Sequence, residues 1–117
     1  WRRIIFNILI ANTDDHLKNH AFLYETSVGW RLSPAYDLNP VPLEIKSREL
    51  TTSIDLQGTK SSLETAFSII SECKIPKKRA EEIVKEVKAS VCCWKKIAKS
   101  FGLEKKEIDF MSSAFEV

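Results

Sequence analysis

Glycine is scarce: the chain of 117 residues has 3, Gly29, Gly58 and Gly102, and no two are close together. A Gly-rich loop that cradles phosphates through backbone N–H groups is therefore excluded, and no Val-Ala-Ile-Lys strand is present either. Cysteine is also sparse. Its number is odd, 3, and Cys92 and Cys93 are adjacent, so there is no disulfide framework. Cys73, Cys92 and Cys93 are expected as small buried apolar side chains in a reducing cytosol. No apolar run approaches the ~18 residues that span a bilayer, and no signal peptide is visible, so no membrane partner is expected. Charge of one sign is lacking too. A formal net charge of +2 does not suggest a dedicated nucleic-acid binder, and direct nucleic-acid binding is not expected.

What remains is ordinary globular material, 44% hydrophobic and 29% charged. That length makes one modest domain, residues 1–117, with a loop-and-hairpin part over 1–58 and a helical part over 59–117. The first residues, Trp1-Arg2-Arg3-Ile4-Ile5-Phe6, already lie inside an apolar helical pattern without an initiator Met. The chain therefore reads as a piece truncated at its N-terminus.

Residues 3–11 are apolar nearly all round, which fits a buried helix, with a buried strand as the competing reading. Asn12-Thr13-Asp14-Asp15 breaks that pattern, because such side chains bond nearby backbone. Residues 21–25 and 30–32 flank Thr26-Ser27-Val28-Gly29 and predict a β-hairpin. Three prolines between 34 and 42 exclude regular structure there. A short strand is expected from Leu50 to Leu56.

Ser61-Ser62-Leu63-Glu64 is a capping-box pattern, with Ser61 three residues before Glu64. A helix carrying Leu63, Ala66, Phe67, Ile70 and Cys73 should follow. Pro76 suits the first position of the next helix. The apolar stripe from Ala80 through Val91 and Trp94 to Phe101 predicts one helix of roughly 37 Å from Pro76 to Ser100. Gly102 caps it, and a last helix covers about 104–114. The basic clusters Lys77-Lys78-Arg79, Lys95-Lys96 and Lys105-Lys106 read as solvated faces.

The chemistry is concentrated in Asn12-Thr13-Asp14-Asp15-His16-Leu17-Lys18-Asn19-His20, a dense polar loop between two core elements. Asp14 and Asn19 are separated by four residues, the Asp-x4-Asn spacing of protein-kinase catalytic loops. There the Asp accepts or orients the attacking hydroxyl, and the Asn holds magnesium through its amide oxygen. Magnesium wants oxygen ligands, so a carboxylate must join from elsewhere. Asp37 lies 18 residues beyond Asn19, just past the second strand. Taken singly, Asp14, Asn19 and Asp37 would each read as turn or cap residues. His16 and His20 are four apart, but two histidines without a clear third ligand argue against zinc. His20 is expected to bond a backbone group. Trp30 and Tyr36 are expected in the core or the site wall, and Trp94 in the core. Asp14, Asp15, His16 and Asp37 also allow a metal-dependent phosphoesterase or nuclease, and a non-catalytic docking module is a third reading.

The full wording, Asn7-x-Leu9-Ile10-x-Asn12-x-Asp14-x-His16-x-Lys18-Asn19 and then Leu32-Ser33-Pro34-Ala35-Tyr36-Asp37-Leu38, resembles the HipA family of serine/threonine protein kinases over residues 4–40. The resemblance implies a mainly α fold with a small hairpin, the C-terminal helical lobe of a kinase-like protein. It implies Asp14 as the catalytic residue, Asn19 and Asp37 as magnesium ligands facing ATP, and a supporting or phosphate-approaching role for His16 and Lys18. Asp15 stands where the family often has a small residue. HipA proteins are bacterial toxins of toxin–antitoxin pairs. The implied partners are a protein substrate, an aminoacyl-tRNA synthetase in the type member, and a HipB-like helix-turn-helix antitoxin. The implied location is cytoplasmic, and the ATP-gripping portion lies outside this chain, so the chain alone is expected to be inactive.

Overall fold

A computed structural model describes residues 1–56 and 58–115. It is mainly helical, with one small antiparallel hairpin. Helix α1 runs Arg2–Leu9, and a 3-10 turn covers Leu17–Asn19. Strands β1 (Phe22–Glu25) and β2 (Gly29–Leu32) follow. The remaining helices are α2 (Leu63–Ser68), α3 (Lys77–Val91), α4 (Trp94–Ser100) and α5 (Lys105–Met111), closed by a 3-10 turn at Ser112–Ala114.

The helical reading of 3–11 holds as far as Leu9, because the apolar residues find helical partners, and Ile10 and Ala11 leave the helix. Ile5, Ile8, Leu9 and Ile10 pack with Ala66 of α2 and with Ile83, Val87 and Val91 of α3 to form the core. At the C-terminus of α1, Asn12 N–H reaches Asn7 O at 2.9 Å and Ala11 N–H reaches Ile8 O at 3.2 Å. This is a Schellman closure with Ala11 at φ 48°, a left-handed conformation that costs an L-residue roughly 1–2 kcal/mol. Complete burial of Ala11 offsets that strain and turns the chain sharply into the polar loop. Arg48 supports the same end by donating to Ile8 O at 3.0 Å.

The hairpin pairs Phe22 with Leu32, Leu23 with Arg31, Tyr24 with Trp30 and Glu25 with Gly29. Val28 N–H closes on Glu25 O at 3.0 Å, and Gly29 then takes φ 88°, which only glycine adopts readily. Both faces of the ribbon are largely exposed. Trp30, expected in the core or site wall, is 71% exposed and meets Tyr24 edge to face.

The helical part departs from expectation in four places. The strand at 50–56 does not form: the stretch is irregular, and only an isolated bridge joins Glu49 to Lys60. The N-cap of α2 is Ser62, whose Oγ accepts from Thr65 N–H at 3.1 Å, and α2 ends at Ser68, short of Ile70 and Cys73. Pro76 is the N-cap residue of α3. The single 37 Å helix breaks at Cys92–Cys93. Both thiols donate to Ala89 O, at 3.0 and 3.8 Å, and such side-chain competition for a backbone carbonyl bends helices. Beyond the break, Trp94 is half-buried and stacks on Phe115 with centroids 4.0 Å apart. Phe101, the far end of the predicted stripe, is exposed. All three cysteines are exposed, because Cys73 falls beyond α2 and the other two sit at the outward bend.

Gly102 caps α4 as expected, at φ 82°, with Gly102 N–H on Lys99 O and Leu103 N–H on Ala98 O. The last two residues of the helical part expected over 59–117 lie outside the described residues. Among the described residues, no helix is long and apolar enough to cross a membrane.

Candidate active site

The polar loop is held from both sides. Val41 N–H bonds Ala11 O at 3.2 Å, and Thr51 N–H bonds Thr13 O at 2.9 Å, so the segment after the hairpin folds back along the loop. Asn12 Nδ2 donates to Asn7 Oδ1 at 3.1 Å beneath it.

Asn19 is the pivot. It sits at the end of the 3-10 turn and is only 5% exposed. Its Oδ1 accepts His16 N–H at 3.0 Å, and its Nδ2 donates to Asp37 Oδ2 at 2.7 Å. Two residues 18 positions apart are thereby joined by a short charge-assisted hydrogen bond. Asp37 adopts φ 55°, which Asp tolerates better than most residues, and its second oxygen accepts Asn39 Nδ2 at 2.7 Å. Tyr36, exposed, donates its hydroxyl to Lys18 O at 2.8 Å and fastens the same two segments again.

Asp14 is exposed at the loop surface, and its Oδ1 accepts the hydroxyl of Thr51 at 3.0 Å. Thr51 lies in the stretch read as a strand, so its contact with Asp14 was not visible in the spacing. Lys18 is exposed and makes no ion pair with any described residue. The His16 ring is half-buried.

His16 and His20 do not share a helical face, because both residues are extended on either side of the 3-10 turn. His20 Nε2 lies 3.0 Å from Asp15 Oδ2, a carboxylate partner rather than the expected backbone one. This pair also accounts for Asp15. Its charge is directed at His20 within the loop, leaving Asp14 as the exposed carboxylate.

The donor set at Asn19 and Asp37 suits magnesium. The carbonyl oxygen of Asn19 has one lone pair engaged by His16 N–H and a second one left, and the Asp37 carboxylate keeps acceptor capacity beyond its two amide donors. Magnesium takes one or two protein oxygens and retains waters, so these two residues carry the kind of oxygen it takes, although here Asn19 turns its Nδ2 rather than its Oδ1 toward Asp37. A bridged two-metal centre needs more carboxylates. Among the described residues, no group of three or more His, Cys, Asp or Glu side chains gathers to hold a metal, which leaves the phosphoesterase reading without geometric support.

The family model for the HipA-like C-terminal domain matches residues 1–94, a span that covers α1, the polar loop, the hairpin and α3. No curated protein and no solved structure matches the chain.

Proposed function

Since the chain belongs to the HipA-like C-terminal domain family, we propose that it is the base- and metal-bearing part of a serine/threonine protein kinase with a kinase-like helical lobe. The observation that carries the reading is the 2.7 Å bond from Asn19 to Asp37, which unites the loop and the post-hairpin segment in the order a kinase requires.

The reaction is transfer of the ATP γ-phosphoryl group to a protein hydroxyl. The bond from the γ-phosphorus to the β–γ bridging oxygen breaks, and a bond from that phosphorus to the serine or threonine oxygen forms. ADP leaves, and the hydroxyl proton passes to the Asp14 carboxylate. Asp14 orients the nucleophile, with one oxygen fixed by Thr51 and the side chain open to solvent. Asn19 and Asp37 would hold magnesium, which neutralises phosphate charge when bound. Lys18, an exposed cation in the same loop, is suited to offset charge on the transferred group. His16 supports the loop by donating its backbone N–H to Asn19.

By family resemblance, the whole protein is a cytoplasmic toxin of a bacterial toxin–antitoxin pair. Its substrate would be a protein such as an aminoacyl-tRNA synthetase, and its partner a HipB-like helix-turn-helix antitoxin. Three exposed free thiols fit a reducing compartment. The chain forms one domain whose ATP-gripping counterpart lies elsewhere, so residues 1–117 alone are expected to have no kinase activity. Isothermal titration of the 117-residue chain with MgATP tests this: no heat of micromolar binding is expected, and micromolar affinity would overturn it.

A further inference from the structure

Adjacent residues of an unbroken α-helix point about 100° apart and do not face each other. Cys92 and Cys93, at the break between α3 and α4, do face each other. Both side chains turn back to one carbonyl: Cys92 Sγ lies 3.0 Å from Ala89 O, and Cys93 Sγ lies 3.8 Å from it. The two sulfurs are 4.0 Å apart, and both residues are exposed at the bend.

Three features fix the class of ligand that such a pair takes. The first is donor type. Thiolate sulfur is a soft ligand and selects Cu(I) over the hard cations that oxygen binds. The second is donor number. Zinc takes three or four protein ligands, and among the described residues no group of three or more His, Cys, Asp or Glu gathers, so two thiols fall short of it. The third is spacing. With metal–sulfur bonds of ~2.3 Å, a 4.0 Å separation subtends about 120° at the ion, the trigonal angle. Exposure leaves the third position open to a small-molecule thiol. Positive charge stands nearby as well. Lys88 is four residues before Cys92 and Lys96 three after Cys93, one helical turn away in each direction, and both are exposed.

We propose that Cys92 and Cys93 together form a binding site for a soft monovalent metal ion, Cu(I), at the bend between α3 and α4. Binding replaces two S–H bonds by two metal–sulfur bonds. The ion enters with charge +1, two protons leave, the bound dithiolate unit carries −1, and no electron is transferred. Contact with Cys93 holds the Cys92 thiol above its ordinary pKa, so near neutrality its proton is still present and is displaced by the incoming ion. The site is separate from Asp14, Asn19 and Asp37 and does not depend on phosphoryl transfer.

The test titrates the full-length protein with Cu(I), without oxygen, against a chromogenic Cu(I) chelator and then against glutathione. Wild type should hold one ion more per chain than the Cys92→Ser/Cys93→Ser double variant. Each single variant should lose at least about 100-fold in affinity, because one thiol lacks the effective concentration that the second provides. Cys73→Ser should stay within about twofold of wild type. Serine keeps a small side chain with a donor at an exposed position, and circular dichroism checks that each variant stays helical; Cys→Ala variants, with the same expectation, replace any that does not. X-ray absorption of the loaded protein should show two or three sulfur neighbours at the copper. Equal copper uptake by wild type and double variant would overturn the assignment, as would a single variant with wild-type affinity or one ion shared between two chains. Release of the ion to equimolar glutathione would show an adventitious ion only and overturn it too.

Discussion

Asn19 donates to Asp37 across 18 residues of chain at 2.7 Å, and this bond fastens the polar loop to the segment that leaves the hairpin. Everything between them, the two strands and their turn, acts as a spacer that returns the chain to the loop. Asn19→Ala removes that donor and leaves His16 N–H without its acceptor. Loss of a nearly buried, charge-assisted bond should cost about 2–3 kcal/mol. Urea unfolding monitored by tryptophan fluorescence checks this, and an unchanged midpoint would remove Asn19 from its pivotal place.

The two adjacent serines ahead of α2 should behave oppositely. Ser62→Ala breaks the bond from Thr65 N–H and should lower stability by about 1 kcal/mol. Ser61 Oγ is buried with no partner among the described residues, so Ser61→Ala should be neutral or stabilising. Thermal denaturation of both variants side by side separates the assignments, and a larger loss at Ser61 would restore the sequence reading.

Lys74 is exposed and holds φ 54° in the turn after α2. Glycine adopts that conformation without the steric penalty, so Lys74→Gly should raise stability by about 0.5–1 kcal/mol. A decrease in melting temperature would show that the turn is not held in the left-handed region in solution.

Glu86 of α3 bonds Arg2 of α1 and Arg79 of its own helix, and these guanidinium groups, Arg2 foremost, hold its carboxyl below the usual range. A carboxylate with a lowered folded pKa contributes stability above its unfolded pKa, and that contribution is lost as pH falls through the folded value. Wild type should therefore exceed Glu86→Gln in melting temperature at neutral pH, with the gap closing as pH drops below the carboxylate range. High salt should narrow it as well, because the pair is half-exposed. A gap independent of pH would show that Glu86 acts through something other than its charge.

The site was legible where residue spacing follows backbone geometry. Asn19 and Asp37 could be ordered on either side of a hairpin because Gly29 and the flanking apolar runs announce it, and the two lie within a 2.7 Å hydrogen bond of each other. Contacts made by irregular chain were hidden. Thr51 reaches Asp14 from a stretch whose composition suggests a strand, and Asp15 finds His20 around a 3-10 turn, where no fixed period applies. The bend at Cys92–Cys93 was masked by an apolar stripe that continues through it. Two thiols competing for Ala89 O leave no trace in hydrophobic periodicity. The cap shifted from Ser61 to Ser62 because burial, unknown from sequence, decides which hydroxyl is free to turn toward the helix.

Phosphoryl transfer by the full-length protein, with Asp14→Asn and Asp37→Asn measured against wild type, tests the central claim most directly. Asp14→Asn should fold as wild type does, Asp37→Asn should be less stable because its amide NH2 meets one of the two amide donors of Asn19 and Asn39, and both should lose at least about 100-fold in rate under conditions where they are folded. Transfer within tenfold of wild type in either variant would contradict the assignment of Asp14 and Asp37 to the reacting site.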